Sequence, residues 1–161
     1  LIPMLRDKKQ DDGALARPEP PLAMKVYSTG DGRVDSLAAE GLRAFSQKDY
    51  DEAARLLTQG HFYMTVKIRE KEAASYPADL RFYVGCAEYF RGRPDRAAAY
   101  LEEEERENDF DERYPWYLAH VYADRGAMDE ARAELEKVVR LGGTLAPEAA
   151  KKLAEPPFER R

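Results

Sequence analysis

The chain has one cysteine and two histidines in 161 residues, and each scarcity closes off a line of chemistry. A lone Cys86 excludes an intrachain disulfide and any zinc site built on several cysteines, and it leaves the redox compartment open. His61 and His120 form no H-x3-H or H-E-x-x-H pair, so no metal site is expected. There is no C-x-x-C-H haem attachment run. Gly30-Asp31-Gly32 lacks the rest of a phosphate-cradling loop. No serine or cysteine nucleophile has a recognisable base beside it. No catalytic residue, cofactor or small-molecule substrate is therefore expected, and the chain reads as non-enzymatic. Long apolar runs are missing as well. Leu1–Leu5 gives way at once to Arg6-Asp7-Lys8-Lys9, whereas a bilayer span needs about 20 apolar residues. No signal-peptide pattern is present.

Positive charge is also short. Lys and Arg number 26 against 31 Asp and Glu, for a net charge of −5. Nucleic-acid binding draws on clustered Lys and Arg, so a nucleic-acid partner is not expected. What the chain does hold is 43% hydrophobic and 35% charged residues, enough for the core of one domain. The first residue is Leu1 rather than methionine, which suggests a processed or trimmed segment. Leu1–Leu5 reads either as a frayed terminus or as the stub of an apolar anchor, so localisation stays open, with membrane association through this stretch or what precedes it as one reading. In that case Arg6, Lys8 and Lys9 weakly favour a cytoplasmic face, blurred by Asp7, Asp11 and Asp12.

Residues 1–33 show no helical period. Arg17-Pro18-Glu19-Pro20-Pro21 favours an extended, polyproline-like run, and Ser28–Gly32 is a turn cluster. The segment reads as an arm or tether that Met24, Val26 and Tyr27 pack onto the body, with a flexible leader as the alternative. From about Val34 the period becomes helical. A first helix, capped by Asp35 or Ser36, carries Leu37, Gly41, Ala44 and Phe45 on one face. A second starts near Tyr50, with Asp51 and Glu52 suiting the helix dipole. It runs towards Ala74 unless Gly60 and the β-branched Thr65, Val66 and Ile68 kink or end it. Asp79 is placed to cap a third helix with Phe82, Tyr83, Gly85, Cys86, Tyr89 and Phe90. Pro94 opens a fourth. Trp116, Leu118, Ala119, Val121 and Tyr122 lie on a fifth, and Met128, Ala131, Leu135, Val138 and Val139 on a sixth, stopped by Gly142-Gly143. A short last helix from Pro147 to about Ala154, with Thr144 or Ala146 as cap, covers the open end. The predicted array spans 34–155, with repeats at 34–76, 78–111 and 112–143, a cap at 145–154 and a tail at 156–161.

The helices repeat in pairs. Ala53-x3-Leu57, Ala97-x3-Leu101 and Ala131-x3-Leu135 superpose, and twelve residues before each alanine stands Gly41, Gly85 or Ala119. The alanines are 44 and then 34 residues apart, so the first copy carries a ten-residue insertion. Small residues at these points let paired helices approach closely while the leucine fills the groove. One hairpin cannot bury its apolar face alone, so neighbours must stack.

This pattern resembles the tetratricopeptide repeat, W-x2-L-G-x2-Y followed by A-x3-F and a closing P. Leu118-Ala119-x2-Tyr122 with Ala131-x3-Leu135 is the best copy. Val84-Gly85-x2-Glu88 with Ala97-x3-Leu101 is good, and Glu40-Gly41-x2-Ala44 with Ala53-x3-Leu57 is partial. Thr65, Asp109 and Gly143 stand where the closing proline belongs. The resemblance implies an all-α fold: a short right-handed superhelical array of about three hairpins with a C-terminal capping helix and an extended N-terminal arm. More loosely, Arg81–Glu102 and Pro115–Gly143 look like repeat domains attached to bacterial membrane-anchored regulators or envelope assemblies.

The resemblance further implies a concave groove lined by the first helix of each pair. By position, the groove would hold Phe45, Phe82, Tyr89, Phe90, Trp116, His120 and Asp124, with at least two of the rings Phe82, Tyr89 and Trp116 exposed to anchor a peptide or partner helix. Leu118, Tyr122 and Leu135 would hold the stack. Ala38, Leu42, Phe82, Cys86, Trp116 and His120 occupy the positions at which some relatives clamp a terminal carboxylate, so that clamp is absent. The implied role is a protein-interaction scaffold. The alternative is a structural accessory subunit of a larger assembly, such as a membrane protein complex, docking through the arm and outer faces. The acidic run Glu102–Glu105, Glu107, Asp109, Asp111 and Glu112 reads first as a solvated helix face and second as a docking surface for a basic partner.

Overall fold

A computed structural model of the chain describes residues 15–23 and 25–159. Among them are seven α-helices and no strand. The helices are α1 (Gly32–Ser46), α2 (Tyr50–Arg69), α3 (Leu80–Phe90), α4 (Pro94–Glu107), α5 (Arg113–Asp124), α6 (Met128–Leu141) and α7 (Ala146–Leu153). The chain falls into two compact units, with the boundary inside α4. One is Pro20–Glu104; the other is Glu105–Arg161 together with the stretch ending at Glu19.

In the first unit, α1 begins two residues before the expected Val34. Its cap is Asp31, not Asp35 or Ser36: the Asp31 carboxylate accepts from the backbone N–H groups of Arg33 and Val34. Asp35 instead accepts from the Thr29 hydroxyl and N–H, closing the turn before the helix. Helix α2 runs unbroken through Gly60 to Arg69. At 20 residues it exceeds α4 and α6 by six, so the insertion lies mostly in this longer helix and the rest in the loop that follows. Gly60 is buried on the face that packs on α1, and the ideal position of a Cβ there would lie 3.8 Å from Leu37 Cβ. That is an ordinary van der Waals distance, and the glycine leaves the helix unbroken.

The pairing of helices within this unit follows the small residues. A Cβ added at Gly41 would stand 2.7 Å from Leu57 Cγ, and one added at Gly85 would stand 2.8 Å from Leu101 Cγ. The same contact thus recurs in two successive hairpins, with leucine seated directly against glycine and Ala53 and Ala97 buried one turn before it. Gly85→Ala is expected to destabilise the protein by about 1–3 kcal/mol through overpacking against Leu101. A urea melt of the variant checks this, and Gly85→Ala combined with Leu101→Val should recover part of the loss. Helix α3 is buried at all 11 positions, which marks it as a central element.

In the second unit, Leu118, Ala119, Val121, Ala131, Leu135 and Val138 are fully buried, while Tyr122 is half-buried. Gly142 ends α6 with φ 68°, a left-handed value that glycine adopts without strain. Neither Thr144 nor Ala146 caps α7. Its capping acceptor is Glu112, whose Oε1 takes hydrogen bonds from the Leu145 N–H and the Thr144 hydroxyl, both at 2.9 Å. The C-terminal tail is anchored too, since Phe158 is 1% exposed with the Arg132 guanidinium over its ring.

Candidate functional site

The expectation that at least two of Phe82, Tyr89 and Trp116 stand open in a groove is not met. Their exposures are 0%, 1% and 7%. Phe45, Phe90 and His120 are buried as well; Asp124 alone among the predicted lining residues lies at the surface. Phe45 shows why. Its ring packs edge-on against Tyr50, Tyr83 and Phe90, and Tyr50 stacks on Phe90 at 5.1 Å. Large flat rings bury the most area when they meet one another, and such pairs hold their own geometry. In the other unit Trp116 packs against His120, and Lys152 of α7 lies over its indole ring. Ala38, Leu42 and Cys86 are likewise buried.

The first helices do hold an extended polypeptide: the chain's own arm. In the unit Pro20–Glu104, the Tyr83 hydroxyl donates to Leu22 O at 2.9 Å. The Ser46 hydroxyl lies 3.4 Å from Ala23 O, while also donating to Leu42 O. Lys25 Nζ pairs with Asp79 at 2.8 Å. Ala23 and Tyr27 are buried, whereas Leu22 and Val26 are 86% and 90% exposed. Val26 therefore does not pack the arm down as expected, and Met24 lies outside the described residues. In the other unit, the Tyr117 hydroxyl donates to Glu19 O at 2.7 Å. Burial raises the Asp124 carboxyl pKa, and the positive charge of nearby Arg17 partly opposes that rise. Tyr83 and Tyr117 are 34 residues apart, at the same place in successive repeats.

Asp79 was expected to cap α3 and does not. It occupies the N-cap position in a left-handed conformation, φ 68°, and its side chain makes no capping bond. Its carboxylate is turned to Lys25 instead.

The acidic run is not a uniformly solvated face. Glu104 is 3% exposed and pairs with the buried Arg81 at 3.2 Å. Glu105 and Glu134 share Lys137, at 2.7 and 3.3 Å. Asp111 forms a paired contact with Arg113, and Glu112 caps α7. What remains at the surface is Glu103, which also reaches Arg81, and Glu107, Asn108 and Asp109 around the 87% exposed Phe110. Burial and the neighbouring Glu105 push the Glu134 carboxyl up to about 8. A native pKa above the unfolded value costs stability as pH rises from about 4.5 towards 8. Glu134→Gln is therefore expected to raise stability at pH 8.5 by about 1 kcal/mol, an allowance made for solvent around the pair. It should bring no gain at pH 4.5; paired urea melts at the two pH values test it.

Both histidines are neutral. His120 Nδ1 is 2.8 Å from Trp116 O, and Nε2 has no partner among the described residues. Burial lowers its pKa to about 4. His61 is stacked on Tyr76 and edge-on to Tyr100; burial, and secondarily Arg81, bring it to about 4 as well. Among the described residues, no three His, Cys, Asp or Glu side chains are grouped to hold a metal, and no helix is long and apolar enough to cross a membrane. The Leu1–Leu5 anchor reading, with the charges that follow it, lies outside the described residues.

No protein-family model matches the chain, and no curated protein matches it. Among solved structures, PcrH in complex with the chaperone binding region of PopB is similar in fold. The TM-score is 0.63 over 81% of this chain and 100% of that chain, at 16% identity. The chain is thus an all-α helical-repeat array of the tetratricopeptide-like kind.

The arm was legible as an extended segment from its prolines. The residues that hold it, Ser46, Asp79, Tyr83 and Tyr117, were missed. The available signal was the recurrence of tyrosine at 83 and 117, a polar tip on an otherwise apolar face.

Proposed function

We propose that this protein is a non-enzymatic binding module in which each unit holds extended backbone of a protein partner on a first helix of a repeat. The carrying observation is that Tyr83 and Tyr117, equivalent in successive repeats, each donate to a backbone carbonyl of extended chain. Such contacts do not depend on the bound side chains, so a segment of another protein satisfies them as well as the arm does. The similar fold of PcrH, solved with the chaperone binding region of PopB, supports protein-segment binding on this architecture. Direct contact then falls to Tyr83 in one unit and to Tyr117 in the other, with Asp124 exposed at the end of the helix that carries Tyr117. Phe45, Phe82, Tyr89, Phe90, Trp116 and His120 act as packed support for those helices.

A second reading is favoured by a separate observation. Leu22, Val26, Phe62 and Phe110 are large apolar side chains left 60% or more exposed. They fit an accessory subunit of a larger assembly, including a membrane protein complex, that docks through the outer side of its arm and its outer faces. Site-specific photo-crosslinking separates the two. With a photoreactive residue at position 83 or 117, crosslinks to a co-purifying protein support binding on the first helices. Crosslinks confined to positions 22, 26, 62 and 110 would replace that reading with the second.

A further inference from the structure

We infer that residues 20–29 are a resident ligand of the surface formed by Ser46, Asp79 and Tyr83, and that the partner displacing them is an extended segment with a small residue, a basic residue two positions on and an aromatic residue four positions on. This rests on the proposed function and names its specificity and its control.

Three features of the arm point this way. Its side chains divide sharply: Ala23 and Tyr27 are buried, and Leu22 and Val26, directly before each, face solvent. A segment that only completed a core would bury its larger apolar groups. This one buries the small residue and the residue carrying a hydroxyl, as a segment read at two positions does. Apart from Thr29, whose bonds to Asp35 belong to the turn into α1, the remaining hold includes backbone carbonyls and the Lys25–Asp79 ion pair. Bonds to a carbonyl are the same for any sequence, so Ala23, Lys25 and Tyr27 carry whatever selectivity the surface has.

The receiving surface is specialised at Asp79. A non-glycine residue in the left-handed region is held there against a local cost, and α3 begins without a side-chain cap. Both costs accompany a carboxylate held 2.8 Å from Lys25 with only 15% of its side chain exposed. A structure that needed only to start a helix would point that aspartate at the helix N–H groups. Here it is pointed at a cation on an incoming strand.

Because the arm is tethered, it competes at a high effective concentration, and an external segment sees only the fraction of molecules with the arm released. Lys25 makes that fraction sensitive to substitution. The probe is a fluorescein-labelled peptide of residues 15–29, added to the full chain and read by anisotropy. The wild type should bind it weakly. The full-chain variant Ala23→Glu/Tyr27→Ser, which spoils the resident arm and leaves the receiving surface intact, should bind it at least about tenfold more tightly. Lys25→Glu, at a half-exposed position, should give a smaller gain of the same sign and serves if the double variant melts. A probe peptide carrying Tyr27→Ser should lose the gain. Trypsin should cut after Lys25 more slowly in the wild type than in the Ala23→Glu/Tyr27→Ser variant. Equal, measurable binding by wild type and variants would overturn the resident-ligand inference and leave the proposed function standing. Tryptic cutting after Lys25 as fast in the wild type as in the free peptide would overturn it too. No binding by any folded variant would overturn this inference and the proposed function together.

Discussion

Phe82→Ala is expected to destabilise the protein by about 3–5 kcal/mol, the cost of truncating a fully buried ring. Against a total stability of about 5–15 kcal/mol for a domain, that leaves a small margin at best. Reading residue 82 as an open groove position predicts the opposite, lost partner capture with an intact fold. Its 0% exposure on a helix buried along its whole length decides between them. Tyr83→Phe is the contrasting change next door. It keeps the ring and removes only the hydroxyl that reaches Leu22 O, so it should cost about 1 kcal/mol and act on the arm rather than the core. Urea melts of the two variants test the pair. A Phe82→Ala loss below about 1 kcal/mol would place that ring outside the core.

Acidification is expected to weaken the fold steeply between pH 6.5 and 4, chiefly through His120. In the unfolded chain this imidazole takes up a proton near 6.5; in the folded protein burial lowers its pKa to about 4. As pH falls through that window the unfolded state gains protons the native state refuses, so stability is lost, by about 3 kcal/mol once pH is below 4. His61 has the same sign, with a smaller effect because it is only half-buried. Glu134 opposes both, since its raised pKa costs stability as pH rises towards 8. The stability maximum should therefore lie between these limits, near neutrality. Denaturant midpoints from pH 4 to 9 give the profile, and His120→Gln should flatten its acid limb. An unchanged acid limb in that variant would assign the loss to other groups.

The fold was legible where packing depends on residue size at fixed spacing. Gly41 with Leu57 and Gly85 with Leu101 are sixteen residues apart in each hairpin, and a small residue facing a large one is a pattern a sequence displays openly. The ten-residue insertion was also readable as a length. Three things were not. Helix starts depend on where a side-chain oxygen points: Asp31 caps α1 from within what reads as a glycine turn, and Glu112 caps a helix 33 residues downstream. The acidic run hides its partners, because Arg81 and Lys137 lie 23 and 32 residues from Glu104 and Glu105. Exposure of the predicted groove rings failed for a third reason. Periodicity tells which residues share a helix face, but Phe45, Tyr50, Tyr83 and Phe90 meet across three helices, and only the packed arrangement shows that they cover one another.

The complete burial of Leu80–Phe90 sets a hierarchy of opening within the molecule. Amide protons in α3 have no local fluctuation that brings them to water, so their exchange with deuterium should proceed only through global unfolding and report the full unfolding free energy. The arm residues, held mainly by side-chain contacts to their carbonyls and the Lys25–Asp79 pair, should exchange many orders of magnitude sooner. Deuterium uptake would then separate the slow helix α3 from the fast extended arm that Tyr83 holds.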